Sequence, residues 1–531
     1  MAKAPVDLLV IGGGITGAGI ARDAALRGFR TALVERGDFG AGTSSRSSRL
    51  IHGGLRYLEL GDLRLVFEAS RERRTLLRIA PHLVWPRSFL FPVHRGSRVP
   101  RWKLAAGLLA YDVLALFRNV RTHRWLGKRS MQRAEPGLRK RGLLGGARYW
   151  DAQCDDARLT LANVRSAHRA GALTANYAAA QRFELADGRV RGAHVRDTLD
   201  GRTYLVRALT VVNATGPWSD SVRADGRRLL RPTKGAHVAV ARDRLGNREA
   251  VTILSPLDGR VMFVLPWGTL SYIGTTDTPY DGSPDDVRVT GEDAIYLLRS
   301  ANAIFPEARL QPSDIISTWA ALRPLLQTDG ESEPGKITRE HQIDEAENGL
   351  VSIVGGKLTT YRTMAAQVVD LVARRLSEID GRPAAPTPPT DREPLPGGET
   401  TDLDTVSAEL EEEGASRALA QYLVRAYGTE APAVARLART GDLGRPVIAG
   451  HPMLRAQLLH AVRREMAMTL CDLLIRRSHV FYEAAGQGVP QASAVVDLVG
   501  PELGWDAARK ATELTTYLKE VARNNAFRAE V

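Results

Sequence analysis

Asp7-Leu8-Leu9-Val10-Ile11-Gly12-Gly13-Gly14-Ile15-Thr16-Gly17 is the stretch that sets the fold of this chain. Residues 7–11 read as a short buried strand, the glycines give G-x-G-x-x-G, and residues 18–27 have the composition of a helix. Gly12 permits the tight turn, Gly14 lets a pyrophosphate approach the amides at the helix N-terminus, and Gly17 lets helix and sheet pack closely. A second strand, residues 31–34, ends at Glu35, near the ~20-residue offset expected for a carboxylate that accepts hydrogen bonds from ribose hydroxyls. Glycine turns also occur for purely structural reasons. Strand, turn, helix, strand and terminal acid in order predict an adenine-dinucleotide site in a Rossmann-like α/β unit. NAD and FAD share this fingerprint, so the rest of the chain must choose between them.

The chain has 531 residues, too many for one core and enough for two or three domains. Its net charge of +13 suits nucleic acid, an anionic membrane surface or a phosphorylated substrate. Nucleic acid is the weakest of these readings, because no nucleic-acid motif or block of basic residues is found and the excess is carried mainly by arginine. Cys154 and Cys471 are far apart and in no metal-ligand spacing, which predicts a reducing compartment and no metal site. No signal-peptide apolar region precedes the first strand, and no stretch approaches the ~20 apolar residues needed to span a bilayer. The expected location is the cytoplasm, with peripheral attachment to the inner face of the cell membrane.

The dinucleotide unit is not contiguous. Residues 208–213 give a strand signal before Ala214-Thr215-Gly216-Pro217-Trp218, and residues 350–354 repeat the pattern before Gly355-Gly356 and a helix. Between them, residues 236–241, 261–265 and 270–273 alternate like an antiparallel sheet. The expected division is a nucleotide-binding domain from 1–85, 145–232 and 340–380, a covering domain from 86–144 and 233–339, a Pro/Gly-rich linker at 381–398 and a helical domain at 399–531. Residues 99–129 combine basic flanks, Trp102, Trp125 and an apolar interior too short to span, the pattern of an interfacial helix or of a packed helix with a basic solvent face.

Ser44-Ser45-Arg46-Ser47-Ser48-Arg49-Leu50-Ile51-His52-Gly53-Gly54-Leu55-Arg56-Tyr57 makes the reading specific. Together with Asn213-Ala214-Thr215-Gly216-Pro217-Trp218, Gly274-Thr275-Thr276-Asp277, Ala321-Leu322-Arg323-Pro324, Gly355-Gly356-Lys357-Leu358-Thr359-Thr360 and Thr469-Leu470-Cys471-Asp472-Leu473-Leu474-Ile475-Arg476-Arg477, it resembles the FAD-dependent glycerol-3-phosphate dehydrogenases of the D-amino-acid-oxidase-like superfamily, over nearly the whole chain. Arg49 departs from the lysine expected there. The resemblance implies noncovalent FAD held by Gly12, Gly14, Gly17, Glu35, Thr43, Ser44, Ser45, Arg49, His52, Gly53, Gly216, Gly355, Gly356, Lys357 and Thr359. It implies substrate binding by Arg56, Tyr57, Thr276, Arg339 and Lys357, with His237 and Arg323 as catalytic residues.

The residue types suit that chemistry. A flavin accepting hydride at N5 needs backbone donors and a cation near N1 and O2, which Gly355, Gly356 and Lys357 can supply at a helix start. A phosphate needs charge-assisted donors from several segments, best given by arginine forks. Loss of the hydroxyl proton calls for a base of near-neutral pKa, and His237 is the candidate, with a packed strand histidine as its rival. The expected reaction is oxidation of glycerol 3-phosphate to dihydroxyacetone phosphate with electrons passed to a membrane quinone. The alternatives are an oxidase using oxygen or an amine or D-amino-acid oxidase. The amphipathic C-terminal helices fit dimerisation, a lid or another partner contact.

Overall fold

The computed structural model describes residues 5–54, 62–115, 120–223, 226–327, 341–383 and 386–531. Val6–Ile11 lies at the centre of a parallel sheet in the order Val351–Gly355, Thr203–Asn213, Val6–Ile11, Thr31–Val34, Leu173–Ala175, with His341–Glu345 antiparallel on the outer edge. The chain therefore enters this sheet three times. Every residue of Val6–Ile11 and Thr31–Val34 is buried, as expected for strands covered on both faces. Leu8, Val10 and Leu33 face the helices Ile15–Leu26 and Tyr361–Asp380, while Leu9, Ile11 and Val34 face a layer that includes Val190, Val195 and Val206. That second cover is an antiparallel meander of Ala178–Ala186, Arg189–Asp197 and the first half of Thr203–Asn213.

The second sheet has ten strands and is antiparallel except where Ala250–Leu254 meets Val84–His94. Thr233–Ala241 runs between Leu270–Gly274 and Ile315–Arg323, placing His237 beside Gly274 on one side and Trp319 on the other. Leu143–Cys154 pairs with Val84–His94 from one end to the other. The expected boundary at 145 thus falls inside a strand of the covering sheet. Alternation in 143–154 is broken by two glycines and several small residues, which hides the strand from a periodicity count.

The segment at 381–398 also differs from a free spacer. Buried Arg22 donates to the carbonyls of Thr390 at 3.3 Å and Glu393 at 2.6 Å, and Leu395 is fully buried with its amide on Ile79 O at 2.8 Å. Proline-rich composition reports stiffness, and here the stiff segment is seated on the first domain. Beyond it, helices including Leu403–Glu412, Arg417–Tyr427, Arg455–Glu465, Ala492–Leu503 and Ala507–Asn525 form the C-terminal unit, which shares a core with the covering sheet.

Candidate active site

Three segments meet where the two sheets face each other. The first is the glycine turn. Gly12 has φ +106°, and a Cβ on Gly17 would stand 1.9 Å from Gly12 O, so the helix can approach the turn only as glycine. Glu35 ends its strand with one carboxylate oxygen accepting from Gly13 N at 2.6 Å and the other from Gly37 N at 2.9 Å. Burial pushes this carboxyl up, and the two amides oppose that shift.

The second segment, 43–54, crosses from the turn to the covering sheet. Ser44 Oγ accepts from Ile15 N at 2.9 Å, at the mouth of the helix where a phosphate would sit, and a Cβ on Gly14 would lie 3.1 Å from that hydroxyl. This tight, amide-lined cradle with an acid at its rim fits an adenine dinucleotide. Ser45 is buried. Thr43 Oγ1 donates to Leu322 O at 2.7 Å, strapping the segment to the strand that ends at Arg323. Ser48 Oγ is 2.8 Å from His237 Nε2, and His52 N donates to Thr359 Oγ1 at 3.2 Å. Gly53 N donates to Tyr111 Oη at 2.9 Å, beside the buried pair of Arg73 and Asp151.

The third segment is the turn of Gly355 and Gly356, both at positive φ, followed by half-buried Lys357 as N-cap of Leu358–Thr360. Gly216, with φ +58°, leaves open space in the neighbouring small-residue turn.

Arg323 closes the covering side. Its guanidinium donates to Thr275 Oγ1 at 3.0 Å, Thr276 O at 3.0 Å and Asp277 at 3.1 Å, which fixes the plane of the fork over Gly235. Thr276 Oγ1 accepts from Ala236 N at 2.9 Å, so it also ties the strand that carries His237. The His237 ring is buried, stacked on Trp319 with centroids 5.1 Å apart and planes 11° apart. Burial, then the charges of Arg323 and Arg49, push its pKa down to about 3, well below the near-neutral value expected of the base, so the imidazole is neutral at working pH.

Arg49, expected among the FAD-binding residues, is seated in an aromatic cage. Its guanidinium lies over the rings of Trp267 at 4.3 Å, Trp319 at 5.2 Å and Tyr482 at 5.5 Å, with Asp156 at 3.8 Å. Burial is the strongest single influence and works against its charge, but Asp156, Tyr272, Asp155 and Tyr482 together hold the group above its ordinary pKa. A planar delocalised cation suits such a cage better than an ammonium does. Ser48, Trp319 and this cage were not singled out in the sequence, since nothing local marks three aromatic residues from three segments as neighbours. Arg56, Tyr57 and Arg339 lie outside the described residues. Among the described residues no cluster of His, Cys, Asp or Glu could hold a metal ion.

Comparison with known proteins agrees with this geometry. Residues 7–362 match the FAD dependent oxidoreductase family model, and residues 388–510 match the C-terminal domain of alpha-glycerophosphate oxidase. The aerobic glycerol-3-phosphate dehydrogenase of Staphylococcus haemolyticus is 36% identical over 98% of this chain and 95% of its own length. A glycerol-3-phosphate dehydrogenase of Synechocystis sp. is 37% identical over 98% and 96%. The crystal structure of the glycerol-3-phosphate dehydrogenase from Bacillus halodurans complexed with FAD superposes with a TM-score of 0.83 at 33% identity, covering 99% of this chain and 96% of that one. The chain belongs to the FAD-dependent oxidoreductases and, among them, to the glycerol-3-phosphate dehydrogenase family.

Proposed function

We propose that the protein oxidises sn-glycerol 3-phosphate to dihydroxyacetone phosphate, with noncovalent FAD as hydride acceptor and a membrane quinone as the final electron acceptor. The observation that carries the reading is the meeting of a fixed arginine fork at Arg323 with a neutral buried imidazole at His237, whose Nε2 is bonded to Ser48 of the segment that runs from the glycine turn to the covering sheet. FAD, when bound along Gly12, Glu35 and segment 43–54, supplies the hydride acceptor for C2 of the substrate. Arg323 and Lys357, with Arg56 and Arg339, offset the charge of the phosphate and orient the substrate. His237 takes the C2 hydroxyl proton at a ring nitrogen, with Ser48 and Trp319 holding its plane.

Mixing purified protein anaerobically with glycerol 3-phosphate is expected to bleach the flavin absorbance, with no bleaching by D-alanine. Colour must then return with a short-chain quinone faster than with air. Bleaching by D-alanine alone would assign an amine substrate, and faster recovery in air would make the enzyme an oxidase.

The quinone reading is supported by Arg101–Leu114. Leu104, Leu108 and Tyr111 are buried, while Trp102, Leu109 and Val113 stand 73%, 54% and 48% exposed on the opposite face, spaced for one side of a helix. Asp112, buried within the helix, is bonded to His123 at 2.7 Å. The outer face is therefore apolar rather than basic, with Arg101 and Lys103 at its start. No helix among the described residues is long and apolar enough to cross a membrane. Replacing Trp102 and Leu109 together by glutamate is expected to reduce binding to anionic vesicles at least tenfold, on the order of 2–3 kcal/mol of lost apolar burial and added charge repulsion, with the dye-linked activity unchanged. Vesicle flotation checks this, and unaltered binding would remove the helix from the membrane contact.

A further inference from the structure

The motif Thr469-Leu470-Cys471-Asp472-Leu473-Leu474-Ile475-Arg476-Arg477 lies far from the glycine turn in sequence, yet its side chains reach both flanks of that turn. Arg477 grips Asp38 as a fork, Nη1 at 2.8 Å and Nη2 at 2.9 Å from the two carboxylate oxygens, and Arg476 Nε reaches the same carboxylate. Asp38 is almost wholly buried. The residues after it make the contact with the turn: Phe39 packs where a Cβ on Gly13 would stand, and Gly40 N donates to Gly13 O at 2.9 Å. A second route starts from Asp472, which is paired with Arg476 at 2.6 Å and accepts from Tyr177 Oη at 2.7 Å. Tyr177 N donates to Gly37 O at 2.9 Å, and Gly37 N donates to Glu35, whose other carboxylate oxygen accepts from Gly13 N.

We infer that the C-terminal helical unit is a working part of the cofactor site, with Arg477, Arg476 and Asp472 acting as positioning residues that set how tightly FAD is held. The inference rests on the reading that Gly12 to Glu35 hold the adenine dinucleotide. Asp38, Asp472, Arg476 and Arg477 are all buried and bonded to one another in a chain, and Arg477 also donates to Glu465 O at 2.8 Å, so the network tolerates burial only when complete. Its two arms end on the carbonyl and the amide of the same residue, Gly13. A change at residue 477 is therefore transmitted to the peptide units on either side of Gly13, where the pyrophosphate approaches.

Other ion pairs join the C-terminal unit to the first domain without reaching the turn. Arg165 on Asp156–Arg169 forks onto Glu430 at 2.7 and 2.9 Å, and this pair supplies the control. FAD dissociation constants are measured on full-length protein by fluorescence titration of deflavinated samples. Arg477→Lys loses the fork and is expected to weaken FAD binding about tenfold or more, and Tyr177→Phe, which keeps the packing, about three- to tenfold. Arg165→Lys should stay within about twofold of the unaltered protein. Glu35→Ala tests the underlying reading. Weak FAD binding in Glu35→Ala with full affinity in Arg477→Lys and Tyr177→Phe overturns the inference alone, and full affinity in all of them overturns the dinucleotide reading with it. Equal losses in Arg165→Lys and Arg477→Lys would show general destabilisation and overturn it as well.

Discussion

Replacing His237 by alanine is expected to slow flavin reduction by about 10²–10⁴-fold, the usual loss on removing a general base, with substrate affinity little changed. The ring is held by Ser48 at Nε2 and by Trp319 across its face, so it is positioned before substrate arrives. Its pKa is displaced downward to about 3 by burial and by the charges of Arg323 and Arg49. The proton-accepting form is therefore complete at pH 5 and is lost only as pH falls through about 3, so this residue contributes no acid limb near its ordinary value of ~6.5. In the alanine variant the proton passes to solvent, and the residual rate should rise with bulk pH. Anaerobic stopped-flow reduction between pH 5 and 8 measures both effects. A variant that reduces its flavin at the unaltered rate would leave His237 as a packing residue between two strands.

The second large effect is expected at Gly17. A methyl group there would sit 1.9 Å from Gly12 O and 3.3 Å from Val10 Cγ1. Neither neighbour can retreat, since Gly12 N is bonded to Val34 O at 2.8 Å and Val10 is fully buried in the central strand. The helix must move instead, carrying its N-terminal amides away from the dinucleotide. Overpacking of about 1–3 kcal/mol should appear as roughly 10–100-fold weaker FAD binding in Gly17→Ala. Gly107→Ala is the control, because a Cβ at Gly107 meets nothing within 4 Å. Flavin content after purification and FAD titration decide the matter, and a fully yellow Gly17→Ala protein would sink the argument.

These two positions differ in how openly the sequence declares them. Gly12 is required by its positive φ and Gly17 by its close approach to Gly12 O, and Glu35 follows at the distance a strand imposes, so the turn was legible from spacing alone. His237 was legible only as one of two readings, because alternation in a strand is the same for a base and for a packed ring. The meander behind the first sheet was missed because its strands are small, charged and half-exposed, with no clean apolar period. The cage around Arg49 was not legible, because Trp267, Trp319, Tyr482 and Asp156 come from four other segments. The Asp38 cluster was equally hidden, since a charge pair is written in the fold and not in the spacing.

The seating of residues 390–395 on the first domain has a consequence for how the chain is made. Arg22 emerges early from the ribosome, yet the carbonyls that receive its guanidinium belong to Thr390 and Glu393, and the strand next to Thr203–Asn213 is Val351–Gly355. The first strand–turn–helix thus lacks two of the acceptors of Arg22, and the sheet lacks one strand, until about three quarters of the polypeptide has been synthesised. Such an intermediate is exposed to aggregation, and its sheet depends on contacts of very long sequence separation. The first sheet and its cover can therefore be complete only after most of the chain has been made.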